Sequence, residues 1–229
     1  MWRVSLDPPS SLFSDLSALL SVDEQERAAR FRFDVHRTRF TAGRAALRHL
    51  LARYLEIGPE EVVFGYSAHG KPSLGGSVAE SGVRFNFSNA GGMGLAAFVL
   101  DREVGVDLEE IKPVTDFAGI AERFFSPAEN RALLALPAEA RDAAFFTCWT
   151  RKEAYIKAVG EGLSIPLDSF DVTLAPGDPP RLLATRAEPG GSVRWSLHEL
   201  HPGPGFVGAL AVEAPAPEVR CFDWELPAT

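Results

Sequence analysis

An acidic pair and a charged helical segment carry the residue types most suited to chemistry in this chain. Asp107 and Glu109 stand two residues apart in Gly-Val-Asp-Leu-Glu, and Lys152, Glu153 and Lys157 follow at helical spacing in Trp-Thr-Arg-Lys-Glu-Ala-Tyr-Ile-Lys. Together they supply three carboxylates and two ammonium groups. Such a set can hold a divalent cation and the phosphates that the cation bridges.

Each half of this set also has an ordinary structural interpretation. Glu153 and Lys157 are four residues apart, as in a surface ion pair of a helix. Asp107 and Glu109 alternate with apolar residues, so they share one face of a strand and could simply be solvated. Lys152 falls within the apolar arc of its helix, where an unpaired ammonium is costly, so it either extends to solvent or meets an anion.

A basic segment interrupts an otherwise acidic chain, whose formal net charge is −8. Against a single acid, Asp34, the segment contains eight arginines, at positions 27, 30, 32, 37, 39, 44, 48 and 53. Arg37, Arg44 and Arg48 recur on a different face of the helix from its leucine stripe, which favours them as ligands. The charge balance excludes general nucleic-acid binding and predicts a small polyanionic ligand.

Periodicity and capping signals predict the elements that position these residues. Ser126 and Glu129 form a capping box that begins one helix, and Gly160 ends a later one. A three-residue hairpin loop at 101–103 is expected to join two strands, and to mark the domain boundary. The predicted helices cover 37–55 and 138–159, and the predicted strands near the acidic pair cover 83–88, 94–100 and 104–108.

An apparent phosphate-binding loop lies between Gly65 and Lys71, which match G-x4-G-K. Pro72 occupies the position where that motif has a Ser or Thr ligand for magnesium, and the residues after it cannot start a good helix. The loop is therefore not expected to be a P-loop, although Lys71 could contact a phosphate as a point charge. The Asn89–Gly94 stretch is expected to be a turn between strands.

Composition sets the remaining expectations. Hydrophobic residues make up 46% of the chain and charged residues 24%, which are globular values. The longest apolar run is too short for a membrane span, and no signal peptide is recognisable. Two isolated cysteines, Cys148 and Cys221, indicate free thiols in a reducing compartment. We therefore expect a cytoplasmic monomer that engages neither membrane nor nucleic acid.

With these motifs in place, the chain resembles the Sfp-type 4′-phosphopantetheinyl transferases. The resemblance covers roughly residues 27 to 170 in order and spacing. Its motifs are Gly70-Lys71-Pro72, Phe85-Asn-Phe-Ser88, Gly105-Val-Asp-Leu-Glu109, Phe124-Phe-Ser-Pro-x-Glu129 and Trp149-x-x-Lys-Glu-Ala-x-x-Lys-Ala-x-Gly-x-Gly-Leu163.

The resemblance implies an α+β fold of two similar mixed α/β halves about a pseudo-twofold axis, with the active site at their interface. The halves would be residues 1–103, contacting the nucleotide of coenzyme A, and residues 104–229, carrying the metal and catalytic groups. The implied enzyme, with holo-acyl-carrier-protein synthase activity, transfers 4′-phosphopantetheine from coenzyme A to a serine of an acyl or peptidyl carrier protein. It would require Mg²⁺ and release adenosine 3′,5′-bisphosphate.

The same resemblance assigns roles to individual residues. Asp107, Glu109 and Glu153 would bind Mg²⁺, and Glu153 would also be the general base. Lys152 and Lys157 would neutralise the pyrophosphate. The remaining implied ligands hold the nucleotide and its 3′-phosphate; they are Arg37, Arg44, Lys71, Ser88 and Asn89.

One departure from the family pattern and two other functions remain open. Asn89 stands where many relatives have histidine, so a hydrogen-bond donor without charge replaces a potential cation. A non-catalytic protein that binds coenzyme A or a carrier would bind without dependence on Mg²⁺. A P-loop phosphotransferase would instead bind ATP through Lys71.

Overall fold

The computed structural model describes residues 1–114 and 116–225, apart from the side chain of Leu163. Two long helices dominate this part of the chain, and each is 22 residues long. In chain order the α-helices are α1 (Phe13–Ala18), α2 (Val22–Ala29), α3 (Asp34–Leu55), α4 (Phe117–Phe124), α5 (Pro127–Ala135) and α6 (Ala138–Val159).

The strands form two larger sheets and two hairpins. One sheet has the order β11-β1-β5-β4 and the other β6-β10-β9, while β2 pairs with β3 and β7 with β8. In chain order the strands are β1 (Trp2–Ser5), β2 (Phe64–Tyr66), β3 (Pro72–Leu74), β4 (Val83–Ala90), β5 (Met93–Leu100), β6 (Val104–Glu110), β7 (Phe170–Val172), β8 (Leu182–Thr185), β9 (Trp195–Leu200), β10 (Phe206–Glu213) and β11 (Phe222–Trp224).

Each half places one long helix against one of the larger sheets. Core residues of α3 pack with those of β1 and β5, and core residues of α6 pack with those of β9 and β10. A third apolar cluster joins the two sheets through β5, β6 and β10. The α+β class is confirmed, and two halves of one helix and one sheet are what the predicted pseudo-twofold arrangement requires.

The domain boundary between residues 103 and 104 stays a prediction. The last four residues of the second half, 226–229, lie outside the described part of the chain. One strand crosses that boundary. The C-terminal β11 pairs in parallel with β1, from Trp2 opposite Phe222 to Val4 opposite Trp224. The first sheet is therefore completed by residues from the second half.

The predicted hairpin at 101–103 is wrong in its pairing, although both of its strands exist. β5 pairs with β1 and β4, whereas β6 pairs with β10. The short loop instead carries the chain from one sheet into the other. Local sequence cannot show this, because the partner of β6 lies about a hundred residues later along the chain.

The Gly65–Lys71 segment is the end of β2 and the turn of a hairpin rather than the start of a helix. β2 and β3 pair antiparallel, with Gly65 opposite Ser73 and Tyr66 opposite Pro72. Ser67 N donates to the carbonyl of Lys71 at 2.9 Å and closes the turn. The expectation that this is no P-loop is confirmed, because no helix N-terminus follows it.

The capping box of α5 forms as predicted. Ser126 Oγ accepts the amide of Glu129 at 3.2 Å, and the Glu129 carboxylate accepts the amide of Ser126 at 2.8 Å. The long helix α6 begins at residue 138 and ends at residue 159, as predicted. Gly160 follows it with φ 84°, the left-handed conformation that glycine adopts without strain.

Gly105 lets β6 lie directly on the backbone of α6. A β-carbon at this position would stand 2.1 Å from the Ala154 carbonyl oxygen and 2.3 Å from the Ala158 nitrogen. Both obstacles are backbone atoms of a buried helix, so neither can move aside as a side chain would. The glycine therefore sets the distance between the strand that carries Asp107 and the helix that carries Glu153 and Lys157.

We expect Gly105→Ala to separate β6 from α6 and to lower the free energy of unfolding by about 1–3 kcal/mol, the usual cost of overpacking. Chemical denaturation measures this loss. Gly65→Ala is a matched control, because its new β-carbon meets only the Ser73 hydroxyl, at 3.2 Å. Equal stability of the two variants would contradict the assigned role of Gly105.

No helix among residues 1–114 and 116–225 combines the length and the apolar character needed to cross a membrane.

Candidate active site

A charged cluster forms where β4, β6 and α6 meet. Lys157 Nζ lies 2.6 Å from Asp107 Oδ1 and 3.0 Å from Ser88 Oγ. The Ser88 hydroxyl donates to the same Asp107 oxygen at 3.0 Å. We call these three residues, with Glu109 and Glu153, the acidic centre.

The predicted alternation of β6 explains how the acidic centre is presented. Val104, Val106 and Leu108 are buried in the cluster between the two sheets. Gly105 and Asp107 lie on the opposite face of the strand, toward α6. On α6, Glu153 and Lys157 are one turn apart and both half-buried. Alternation on the strand and helical periodicity thus bring the predicted carboxylates and one amine into the same region.

Burial is the main influence on the carboxylates of the acidic centre. Burial raises the pKa of Asp107, while the Lys157 ammonium lowers it. The pKa of Glu153 is raised by burial first and by the negative charge of Asp107 second. Burial and Asp107 likewise raise the pKa of Glu109. The charge of Asp107 thus disfavours ionisation of both glutamates, and further positive charge would relieve this repulsion.

The residues of the acidic centre fit a hard divalent cation. Asp107 Oδ2 is buried without a hydrogen-bond partner, which leaves a costly anionic oxygen available as a ligand. Carboxylate oxygens are the ligands that Mg²⁺ takes in proteins. Within the described part of the chain, no three His, Cys, Asp or Glu side chains already stand in a ligand cluster. Lys157 supplies the nearest positive charge to Asp107 instead.

A cleft of about 540 Å³ opens between α3 and the end of β4. Three arginines line it, Arg27, Arg39 and Arg44, and we call it the arginine cleft. Its aromatic walls come from Phe31, Phe40, Tyr66 and Phe87. Cationic side chains above apolar rings suit a ligand that has both phosphate and a flat heterocycle.

One stripe of α3 forms the floor of the arginine cleft. Its members recur three or four residues apart, as one face of a helix requires, and are His36, Arg39, Phe40, Gly43, Arg44 and Leu47. Gly43 leaves room for the ring of Phe87, because a β-carbon at position 43 would lie 3.0 Å from Phe87 Cζ. The helix thus presents its cations beside an apolar surface contributed by β4.

Arg44 is held in place on three sides. Its Nε lies 3.3 Å from Glu24 Oε1, its guanidinium lies 4.6 Å from the centre of the Phe64 ring, and Nη2 lies 3.4 Å from the Tyr66 hydroxyl. Glu24 is itself buried and also pairs with Arg48 at 2.8 Å. Because the stack and the ion pair fix its plane, Arg44 can present its remaining N–H groups with little loss of side-chain entropy.

β4 connects the arginine cleft with the acidic centre. Ser88 belongs to the acidic centre, and the next residues, Asn89, Ala90 and Gly91, line the cleft. Ser88 is therefore placed at the carboxylates and Lys157 rather than beside the arginines. Successive side chains of a strand alternate in direction, so Ser88 faces the acidic centre while Phe87 and Asn89 face the cleft, and the two regions adjoin across β4.

Two of the predicted ligands lie away from the arginine cleft. Arg37 Nη2 pairs with Asp34 at 2.7 Å on the outside of α3 and is absent from the cleft lining. Lys71 Nζ lies 2.7 Å from Glu103 Oε2 and 2.9 Å from the Ala158 carbonyl oxygen. Its neighbours Gly70 and Pro72 line the cleft, but the lysine does not.

Lys152 is fully buried, at 0% exposure, in the core of the second half. Its ammonium lies 2.7 Å from Glu129 Oε2 and donates to the carbonyl oxygens of Leu167 and Phe170, each at 2.7 Å. These contacts use all three of its donors. This position is at odds with the predicted contact between Lys152 and a pyrophosphate.

Sequence reasoning did not single out Arg27, Arg39 or Tyr66 as ligands. The signal for Arg39 was present, because His36, Arg39, Gly43 and Leu47 share a helical stripe. Arg27 comes from α2 and Tyr66 from β2, so only the tertiary packing of these elements on α3 brings them to the cleft.

Two family models match successive parts of the chain. Residues 103–211 match the family model described as the 4′-phosphopantetheinyl transferase superfamily, and residues 4–98 match the model for the N-terminal part of 4′-phosphopantetheinyl transferases. The 4′-phosphopantetheinyl transferase HetI of Nostoc sp. is 44% identical over 212 residues, which cover 93% of this chain and 86% of that protein.

More distant relatives include the Sfp transferase of Bacillus subtilis and one solved structure. Sfp is 33% identical over 159 residues, covering 69% of this chain and 67% of its own length. The crystal structure of Thermotoga maritima holo-[acyl-carrier-protein] synthase is 26% identical at a TM-score of 0.39, over 48% of this chain and 62% of that one.

Proposed function

The chain belongs to the 4′-phosphopantetheinyl transferase superfamily, and from this premise we propose that it moves phosphopantetheine from coenzyme A to the serine of a carrier protein in a Mg²⁺-dependent reaction. The observation that carries the proposal is that a cationic, aromatic-walled cleft adjoins a buried carboxylate–lysine cluster, since consecutive residues of β4, Asn89 and Ser88, belong to the two regions. One region suits a nucleotide with phosphates, and the other suits phosphoryl transfer.

The arginine cleft would hold the adenosine 3′-phosphate end of coenzyme A. Arg44, fixed by Glu24 and Phe64, offers N–H groups to a phosphate, and Arg27 adds positive charge at the cleft wall. Arg39 also lines the cleft, but two of its N–H groups are paired with Asp7, at 2.7 and 2.9 Å. Asn89 would contribute a neutral donor from the end of β4. These arginines compensate for the missing histidine at position 89.

The acidic centre would lie at the pyrophosphate. Asp107, Glu109 and Glu153 would hold Mg²⁺, which when bound neutralises charge on the phosphate oxygens. Lys157 would add its ammonium to the same oxygens, oriented by its contacts with Asp107 and Ser88.

Glu153 would accept the proton of the carrier serine hydroxyl. As the serine oxygen bonds to the phosphorus that bears pantetheine, the bond from that phosphorus to the bridging oxygen breaks. Adenosine 3′,5′-bisphosphate then leaves. A carboxylate whose pKa is raised by burial is a better base than a solvated one.

Transfer should be tested by mass spectrometry of apo carrier proteins from fatty-acid, polyketide and nonribosomal-peptide systems. With coenzyme A and Mg²⁺, a carrier should gain the mass of one phosphopantetheine, and EDTA in excess should abolish the gain. Coenzyme A binding without modification of any carrier would favour a non-catalytic binding protein. Gain of mass in EDTA would remove Mg²⁺ from the proposal.

A further inference from the structure

The two larger sheets face each other through their edge strands, β4 and β6. Each strand stands last in its sheet, in the orders β11-β1-β5-β4 and β6-β10-β9. The strands meet at the acidic centre, where the Ser88 hydroxyl of β4 donates to Asp107 of β6 at 3.0 Å. In the described part of the chain the ladder partner of β4 is β5 and that of β6 is β10, so side chains must set how β6 lies along β4.

The Val106 amide lies on the edge of β6 that faces away from β10. In an antiparallel pair, residues that make ladder bonds alternate with residues whose N–H points to the other side. Just before β6, Glu213 N donates to the Glu103 carbonyl at 3.1 Å, and just after it Ile111 N donates to the Gly205 carbonyl at 2.8 Å. Odd-numbered residues of this strand therefore make the ladder bonds, and Val106 turns its N–H away from β10.

Asn86 of β4 supplies the partner for that amide. Val106 N donates to Asn86 Oδ1 at 2.9 Å, and the two residues are 0% and 5% exposed. Only the oxygen of an asparagine amide can accept a hydrogen bond, so the orientation of the Asn86 side chain follows from the donor. Because a buried N–H without an acceptor is costly, this bond ties the edge of β6 to a fixed point on β4.

The bond between Asn86 and Val106 lies directly beside the contacts of Asp107. Asn86 and Ser88 are two residues apart and share one face of β4, and Val106 immediately precedes Asp107 on β6. Asn86 thus holds the backbone of β6 one residue from Asp107, while Ser88 contacts the Asp107 carboxylate itself. Lys157 pairs with the same carboxylate oxygen at 2.6 Å. A shift of β6 along β4 would therefore disturb all of these contacts together.

We propose that Asn86 is a positioning residue, which sets the register of β6 against β4 and thereby places Asp107 within reach of Ser88 and Lys157. The inference rests on the proposed function for its kinetic consequence alone. Its structural content, a side-chain bond that fastens the edges of two sheets, can be measured without coenzyme A or a carrier protein.

The kinetic test compares Asn86→Leu, which keeps the approximate shape of the side chain but removes the acceptor, with Asn130→Leu. Asn130 is the matched control, because it is half-buried, lies outside the proposed site and donates to the backbone carbonyls of Ala121, Phe125 and Ser126. Asn86→Leu should lower kcat by about tenfold and change KM for coenzyme A by less than about twofold. Asn130→Leu should lower stability and leave kcat near that of the original protein.

A double variant tests whether Asn86 acts through the acidic centre. Asn86→Leu and Ser88→Ala each loosen the same arrangement of Asp107, so their combination should lose less activity than the product of the two single losses. Losses that simply multiply would contradict the proposed route through Asp107.

The structural test is hydrogen exchange at the Val106 amide. Exchange should become faster in Asn86→Leu and should stay protected in Asn86→Asp, because a carboxylate oxygen accepts the same N–H. If Asn86→Leu does not fold, Asn86→Ser, whose side chain is one bond shorter, supports the same kinetic and exchange comparisons.

Three further results would overturn the inference. Equal loss of kcat in Asn86→Leu and Asn130→Leu would show a general effect of lowered stability. A loss confined to KM for coenzyme A would make Asn86 a ligand of the substrate. Unchanged exchange at Val106 in Asn86→Leu would show that the bond does not hold the strands. If the original protein modifies no carrier, the proposed function fails, and the exchange measurements still decide whether Asn86 fastens β6 to β4.

Discussion

Replacing Glu153 with glutamine is expected to leave coenzyme A binding near its original strength and to lower turnover by about 10²–10⁴-fold. Glutamine retains the shape of the side chain but cannot accept the serine proton. The contacts of the arginine cleft, including the ion pair of Arg44 with Glu24, are untouched by this change. The loss should therefore fall on kcat, measured by carrier mass gain under saturating coenzyme A.

Two comparisons make the Glu153 result specific. Turnover should be measured across a Mg²⁺ titration, because glutamine is also a weaker metal ligand than glutamate. The loss of turnover that remains at saturating Mg²⁺ is then due to the missing general base. Glu139→Gln is the matched control, since Glu139 is exposed in the first turn of the same helix, about 20 Å away at 1.5 Å per residue. Equal turnover of the two variants would exclude Glu153 as the base.

Replacing Lys152 with methionine is expected to lower the free energy of unfolding by about 3–5 kcal/mol, because it leaves the Glu129 carboxylate buried without its cation. Glu129 is 3% exposed and also accepts the amides of Ser126 and Val172, each at 2.8 Å. Chemical denaturation of the purified variant measures the loss.

The double variant Lys152→Met with Glu129→Gln should recover part of that stability, since no uncompensated charge remains. Where the single variant still folds, its KM for coenzyme A should be unchanged at low temperature. A normal stability together with a raised KM would instead return Lys152 to the phosphate-binding role that the family resemblance implied.

Local signals predicted the elements that carry the acidic centre. α6 begins at Ala138 and ends at Val159 as its periodicity and the following Gly160 indicate. The alternation of β6 placed Asp107 and Glu109 on one face, because side-chain direction in a strand depends only on the backbone. Asp107, Glu153 and Lys157 come into the same region once β6 packs against α6.

Long-range partners could not be predicted in the same way. The residues around 101–103 have the length of a hairpin loop, yet β6 finds its partner in β10, about a hundred residues later. Lys152 was predicted either to extend to solvent or to meet an anion, and its counterion Glu129 was interpreted only as a capping residue. One carboxylate performs both tasks, and only the packing of α5 against α6 makes that possible.

The parallel pairing of β1 with β11 has a consequence during synthesis on the ribosome. β1 emerges before its second neighbour, Phe222–Trp224, which is made about 220 residues later. Until then one edge of this strand can pair with strands of other nascent chains, a recognised route to aggregation. We expect soluble yield in a cell-free translation to improve when chaperones that shield nascent chains are supplied.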